Sequence, residues 1–274
     1  MPHNQQPRSF LTLFQGRRQE EELMDLPSTS RKDFTEALHD IQWVNSNLGG
    51  VNVLLAELMQ FIPAHPAGEF SRSEQAPFTI LDLGTGSADI PRAIVNWARQ
   101  QPSANPINVQ ITAVDVHSVA VDVARQMGHD YPEIHIVQAD ALTLDFADQS
   151  FDVVISSMFM HHLQNEEAVR LLQEMSRLCR RGFIVNDLER HPLAWLGIKA
   201  LGFLQGKGKI FQNDAPLSVL RGFTHAELIA LKNAAGLPDL EIHHRRPYRW
   251  LLCWKKDHQW LIPQHLPLET PCNN

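Results

Sequence analysis

The sequence predicts an α/β fold built on an open, mostly parallel sheet, with a ligand site at the carboxyl ends of the strands. Three observations carry this reading. Residues 78–89 (FTILDLGTGSAD) run as a buried strand, break at Gly84-Thr85-Gly86 and restart as a helix near Pro91, the order of the first half of a βαβ nucleotide site. Two further apolar runs, 109–115 (VQITAVD) and 135–140 (HIVQAD), each end in an acid. Helical spacing alternates with these runs, as parallel sheets require.

The glycine turn says what kind of ligand to expect. Glycine admits unusual dihedrals and lets a ligand approach the backbone. A dinucleotide site wants a third glycine and a bare helix N-terminus for its pyrophosphate. Here Ser87, Ala88 and Asp89 occupy that region, and Asp82 precedes the turn. Two carboxylates repel a phosphate and favour a cation. Asp115, at the end of the second strand, is placed to accept from both ribose hydroxyls. That chemistry is common to dinucleotides and to S-adenosylmethionine (SAM), and a helix cap is its structural alternative.

The run 81–88 (LDLGTGSA) resembles the first motif of class I SAM-dependent methyltransferases, with Ala88 where that family prefers a third small residue, often glycine. The resemblance covers about residues 76–256. It implies a Rossmann-like, seven-stranded, mostly parallel sheet with an antiparallel last strand, and SAM as cofactor. It also implies cofactor contacts at Asp82, Gly84, Thr85, Gly86, Asp115 and Val116, at Asp140 and Ala141 for the adenine, and at Ser156 in the fourth strand, 150–157 (SFDVVISS). The blocks 22–25 (ELMD), 48–50 (LGG), 186–188 (NDL) and 218–223 are similar to a narrower group of small bacterial methyltransferases often found beside polyketide-synthase genes.

The remaining elements follow in order. Residues 1–75 read as an N-terminal arm and helical extension. Up to about residue 27 the arm is polar and then acidic and is expected to be solvated. Ser30 with Asp33 opens a helix, Gly49-Gly50 breaks it, a second apolar helix spans 51–62, and 63–75 is a linker. Residues 118–127 are helical, as are 166–179, with Gly182 ending that helix and 183–187 forming the fifth strand. Residues 188–222 are an insertion whose apolar segment 192–204, carrying Trp195 and Phe203, is expected to form an aromatic-lined lid or a packing helix. Thr224 with Glu227 opens the next helix. Strands 240–244 and 248–255 close the sheet as a hairpin, and 257–274 is a tail.

Composition narrows the function. With 274 residues and 43% hydrophobic content, the chain has material for one good core and a small appendage. A formal charge of −7 argues against broad nucleic-acid affinity. Cys179, Cys253 and Cys272 lack metal-like spacing and fit a reducing, cytoplasmic setting, and no metal is expected. No apolar run reaches the roughly 18 residues of a membrane span. The segment 156–159 (SSMF) stands where amino-methylating nucleic-acid enzymes carry an Asp/Asn-Pro-Pro-aromatic run, and the one Pro-Cys pair lies in the tail. A small-molecule acceptor, phenolic, quinone-like or polyketide, methylated at O or C, is the leading expectation. An RNA or protein methyltransferase, a non-catalytic SAM-binding protein and a dinucleotide oxidoreductase are the alternatives. His161, His162, Asp187 and His191 are the candidate bases, set against plain packing and capping roles. The insertion and its lysines also suit shallow membrane-surface contact.

Overall fold

The computed structural model describes residues 10–62, 76–102 and 107–256. The expected linker and tail lie outside them. A single seven-stranded sheet organises the rest: β1 (Phe78–Leu83), β2 (Val109–Asp115), β3 (Ile134–Gln138), β4 (Phe151–Ser157), β5 (Cys179–Leu188), β6 (Glu241–Arg245) and β7 (Arg249–Lys255). Their order is β3-β2-β1-β4-β5-β7-β6. The first five strands run parallel and β7 pairs antiparallel with both β5 and β6. The order reverses between β1 and β4, so a crevice opens beyond their carboxyl ends, where open α/β sheets take ligands.

Strand alternation builds two apolar layers. Leu81, Leu83, Val154, Phe183 and Val185 face one side, against α5 (Asn165–Leu178) and α8 (His225–Ala234). Ile80, Ile111, Val153, Ile155 and Ile184 face the other, against α2 (Gly50–Leu58) and α3 (Asp89–Arg99). A smaller cluster joins α1 (Arg31–Asn47) to α4 (Ser118–Met127) through Phe34, Leu38, Ala120 and Val123. The caps read from sequence are present. The Ser30 hydroxyl accepts from the Asp33 amide, and Thr224 and Glu227 form a reciprocal capping box.

Two expectations, the role of Gly182 and the solvated arm, are corrected. Gly182 does not end a helix: α5 stops at Leu178 and β5 begins at once, with Gly182 inside it. A β-carbon there would lie 2.1 Å from the Trp254 carbonyl oxygen, so glycine marks the close approach of β7 rather than a break. The insertion holds a second helix after α6 (Pro192–Leu204), namely α7 (Lys209–Arg221), which runs through Pro216. From residue 10 onward the N-terminal arm folds back on the body instead of standing free in solvent, although several of its side chains stay exposed. Arg17 donates to the carbonyls of His161, Leu163 and Arg221 and sits 4.1 Å from the Phe223 ring. Glu22 and Met24 are buried. The α6 helix turns aliphatic side chains, not its aromatic rings, toward the cavity described below. Trp195 packs on Phe10 and Phe14, while Phe203 is 79% exposed.

Candidate functional site

The crevice holds two adjoining regions. The first is the glycine turn. Gly84 and Gly86 adopt left-handed dihedrals, and a β-carbon on Gly84 would strike Phe159. Ala88 also sits in the left-handed region at the start of α3. That conformation ordinarily favours glycine.

The Asp115 carboxylate accepts from the Gly86 amide with one oxygen (2.8 Å) and from the His117 amide with the other (2.9 Å). It therefore fixes the turn and retains a lone pair on each oxygen for a vicinal diol. Asp82 is buried, and burial pushes its carboxyl up to about 7, with Asp89 and Asp115 adding to the rise. Burial likewise raises Asp89, whose carboxylate accepts from the Asn45 amide at 3.0 Å. Three crowded carboxylates fit a ligand bearing an ammonium and a sulfonium, and fit a pyrophosphate poorly.

The remaining cofactor candidates are more scattered in environment. Val116 is 63% exposed, an apolar face beside Asp115. Asp140 is exposed and its Oδ1 accepts from the Leu142 amide at 2.9 Å, while Ala141 is buried. Thr85 is buried within the turn. Ser156 is fully buried and its hydroxyl donates to the Leu83 carbonyl at 3.1 Å, so this side chain ties β4 to β1.

The second region is a cavity of about 340 Å³ over the ends of β4 and β5. Its walls are aliphatic. Ile41, Val44, Leu193, Ile198, Leu201 and Ile210 come from α1, α6 and α7. His161, His162 and Glu22 close one end. These rings were legible in the sequence; Glu22 was not, because the acid run at 20–22 looks solvated until the arm folds back.

The geometry at this end is tight. Asp187 is fully buried at the end of β5. Its oxygens accept from the His161 and Leu188 amides at 3.0 and 2.7 Å, and from His161 Nδ1 at 2.6 Å. Burial works to raise the Asp187 carboxyl, but His161 and these amides outweigh it and hold it below its usual range. Asp187 is thus an anion that accepts a hydrogen bond from His161 Nδ1. Nε2 lies 3.9 Å from Glu22 Oε1. His162 Nε2 lies 4.0 Å from the same oxygen, and its Nδ1 lies 3.3 Å from Asp25. Burial alone would lower His162, yet Glu22 and Asp25 raise it. Arg221 donates to the His161 and His162 carbonyls, at 3.3 and 2.8 Å, and pins both residues. Arg249, buried behind them near Asp187, is pushed down to about 10 by desolvation. His191 is elsewhere: its ring caps α6, accepting from the Leu193 amide at 3.2 Å, and stacks on Tyr248.

Sheet order, glycine turn and strand-end acids together are those of a class I SAM-dependent methyltransferase. Residues 80–182 match the family model described as a methyltransferase domain. Among curated proteins, the demethylmenaquinone methyltransferase of Bacillus licheniformis is 26% identical over 60% of this chain and 72% of its own. The demethylmenaquinone methyltransferase of Porphyromonas gingivalis is 33% identical, over 42% of this chain and 44% of its own length. Among solved structures, human N-acetylserotonin methyltransferase in complex with SAM superposes with a TM-score of 0.57 at 17% identity, covering 83% of this chain and 56% of that one. At that identity the likeness is one of fold.

Proposed function

We propose that this methyltransferase acts on a hydroxyl-bearing aromatic small molecule of phenol or quinol type, at O or C. The observation that carries the proposal is a mostly aliphatic cavity lined at one end by His161, His162 and Glu22. Its volume suits one or two fused rings with a short apolar chain. The relatives named for demethylmenaquinone support a quinone-class acceptor.

The proposed cofactor contacts are those the resemblance implies. Asp115 accepts from the ribose hydroxyls. Asp140 and Ala141 flank the adenine, with Val116 offering it an apolar face. Asp82, aided by Asp89, balances the positive charge at the methionine end, and the backbone of Gly84, Thr85 and Gly86 gives close approach. When bound, SAM supplies a methyl on a sulfonium leaving group. The chain's own task is to align the acceptor and exclude water. The α6 and α7 walls do the second. His161 and His162 meet the acceptor's hydroxyl at the polar end of the cavity, with Asp187 holding the His161 ring from behind, and favour its ionised form, which is the better nucleophile.

The test is transfer of labelled methyl from SAM to a panel of phenols and naphthoquinols, with RNA and protein substrates in parallel. Label in the organic phase that falls at least a hundredfold in His161→Gln, with SAM affinity retained, supports the reading. Label recovered in RNA or protein instead refutes it.

A further inference from the structure

The polar end of the cavity has the features of a metal site. His161 and His162 both direct Nε2 toward one atom, Glu22 Oε1, at 3.9 and 4.0 Å. Those separations are too long for hydrogen bonds, so no proton joins the rings to Glu22. One nitrogen from each ring and one Glu22 oxygen lie within 4.8 Å of one another. Ligand atoms this close together need only small side-chain movements to reach zinc–nitrogen and zinc–oxygen distances of about 2.0–2.2 Å.

The surroundings match as well. Both rings have a carboxylate behind the opposite nitrogen: Asp187 at 2.6 Å from His161 Nδ1, and Asp25 at 3.3 Å from His162 Nδ1. Metal-binding histidines are held in this way, the outer carboxylate fixing the tautomer and strengthening the ligand. Glu22 is itself oriented, its Oε1 accepting from the Ser218 hydroxyl at 2.8 Å. Glu22 and His161 are almost wholly buried, and the cavity supplies the way in. Arg221 and Arg17, bound to the backbone carbonyls beside the rings, work against a cation. The three nearby carboxylates Glu22, Asp25 and Asp187 work for it.

We propose that Glu22, His161 and His162 bind a divalent transition-metal ion, zinc in the first instance, with its open positions facing the cavity. Two imidazoles and one carboxylate suit zinc and its neighbours and leave coordination positions free. Its role rests on the phenol or quinol reading above, whereas the ion site rests on geometry alone. An acceptor hydroxyl bound there loses its proton to water, and the O–H electron pair stays on the oxygen that bonds the ion. The oxygen, or the ring carbon conjugated with it, then forms the bond to the methyl as the methyl–sulfur pair returns to sulfur. The ion thereby lowers the pKa of the hydroxyl as it lowers that of bound water. This revises the expectation of no metal.

The test uses the full chain stripped with a chelator and titrated with Zn²⁺ and with Co²⁺ alone, following competition with a chromophoric chelator and the visible cobalt spectrum. One ion per chain is expected, with ligand-field bands of a four- or five-coordinate site. His162→Gln, partly exposed and the gentler change, is expected to weaken binding at least a hundredfold. Asp187→Asn, which keeps all three ligands, is expected to weaken it about 10–100-fold. Retained SAM binding and thermal transition report that each variant is folded. Absence of stoichiometric binding to folded wild type, or equal binding by a His161→Gln/His162→Gln chain, overturns the site. Methyl transfer to phenols that persists in excess chelator also removes the ion's role while sparing the acceptor reading. Stoichiometric ion binding with no transfer to any phenol or quinol does the reverse.

Discussion

Asp82 gives a prediction whose sign and size are both fixed by its surroundings. Its carboxyl is 2% exposed and is pushed up from the ordinary carboxylate range to about 7 by burial and by Asp89 and Asp115. A raised carboxyl stabilises the free protein while protonated. That contribution is complete below pH 4 and is lost as pH rises through 7. About three units correspond to roughly 4 kcal/mol. A bound cation beside Asp82 reverses the preference, because it favours the anion. SAM binding below pH 7 is therefore accompanied by release of a proton. Affinity is expected to rise by up to tenfold per unit between pH 5 and 7 and then to level off. Calorimetric titration from pH 5.5 to 8, in buffers of differing ionisation enthalpy, reads both the slope and the proton count. Asp82→Asn is expected to flatten the slope, bind SAM more weakly above pH 7, and raise the stability of the free protein there. An affinity that is flat or falls with pH in wild type, or a slope unchanged in Asp82→Asn, refutes the placement of positive charge at this carboxylate.

Three other perturbations follow from packing. Phe183→Ala removes a fully buried ring from the centre of β5 and is expected to cost about 3–5 kcal/mol in chemical denaturation. Gly182→Ala sets a methyl against the Trp254 carbonyl and the Phe61 ring, and is expected to lower the thermal midpoint by loosening β5 from β7. Gly197, on the cavity wall of α6, has open space around its absent side chain. Gly197→Phe is expected to raise the acceptor KM at least tenfold while leaving SAM affinity unchanged, measured by steady-state kinetics and calorimetry.

Much of the scaffold was legible because local chemistry and tertiary fold agree. The run at 78–89, the acids ending 109–115 and the caps at Ser30 and Thr224 each state their role within a few residues. The misreadings share a cause in long-range contact. Gly182 signals a break locally, yet its reason is the Trp254 carbonyl of a strand far along the chain. The helix at Lys209–Arg221 is obscured by Pro216, which interrupts the local pattern although the helix runs on. Glu22 reads as one charge in an acidic arm. Only the return of that arm, held by Arg17 and by Arg221 on the Glu20 carbonyl, buries it beside His161. The candidate cofactor contacts were therefore written locally, whereas the polar end of the cavity is assembled from segments distant in sequence.

The cavity and the glycine turn are proposed to serve one reaction, so the decisive measurement is methyl transfer itself. Purified protein is incubated with methyl-labelled SAM and a reduced naphthoquinone carrying a short prenyl chain, beside Asp115→Ala. The expected result is label in the quinol fraction, with S-adenosylhomocysteine formed in equal amount and both products lost in the variant. SAM bound by wild type, with no label entering any quinol or phenol, would contradict the assignment of the cavity to an aromatic hydroxyl acceptor.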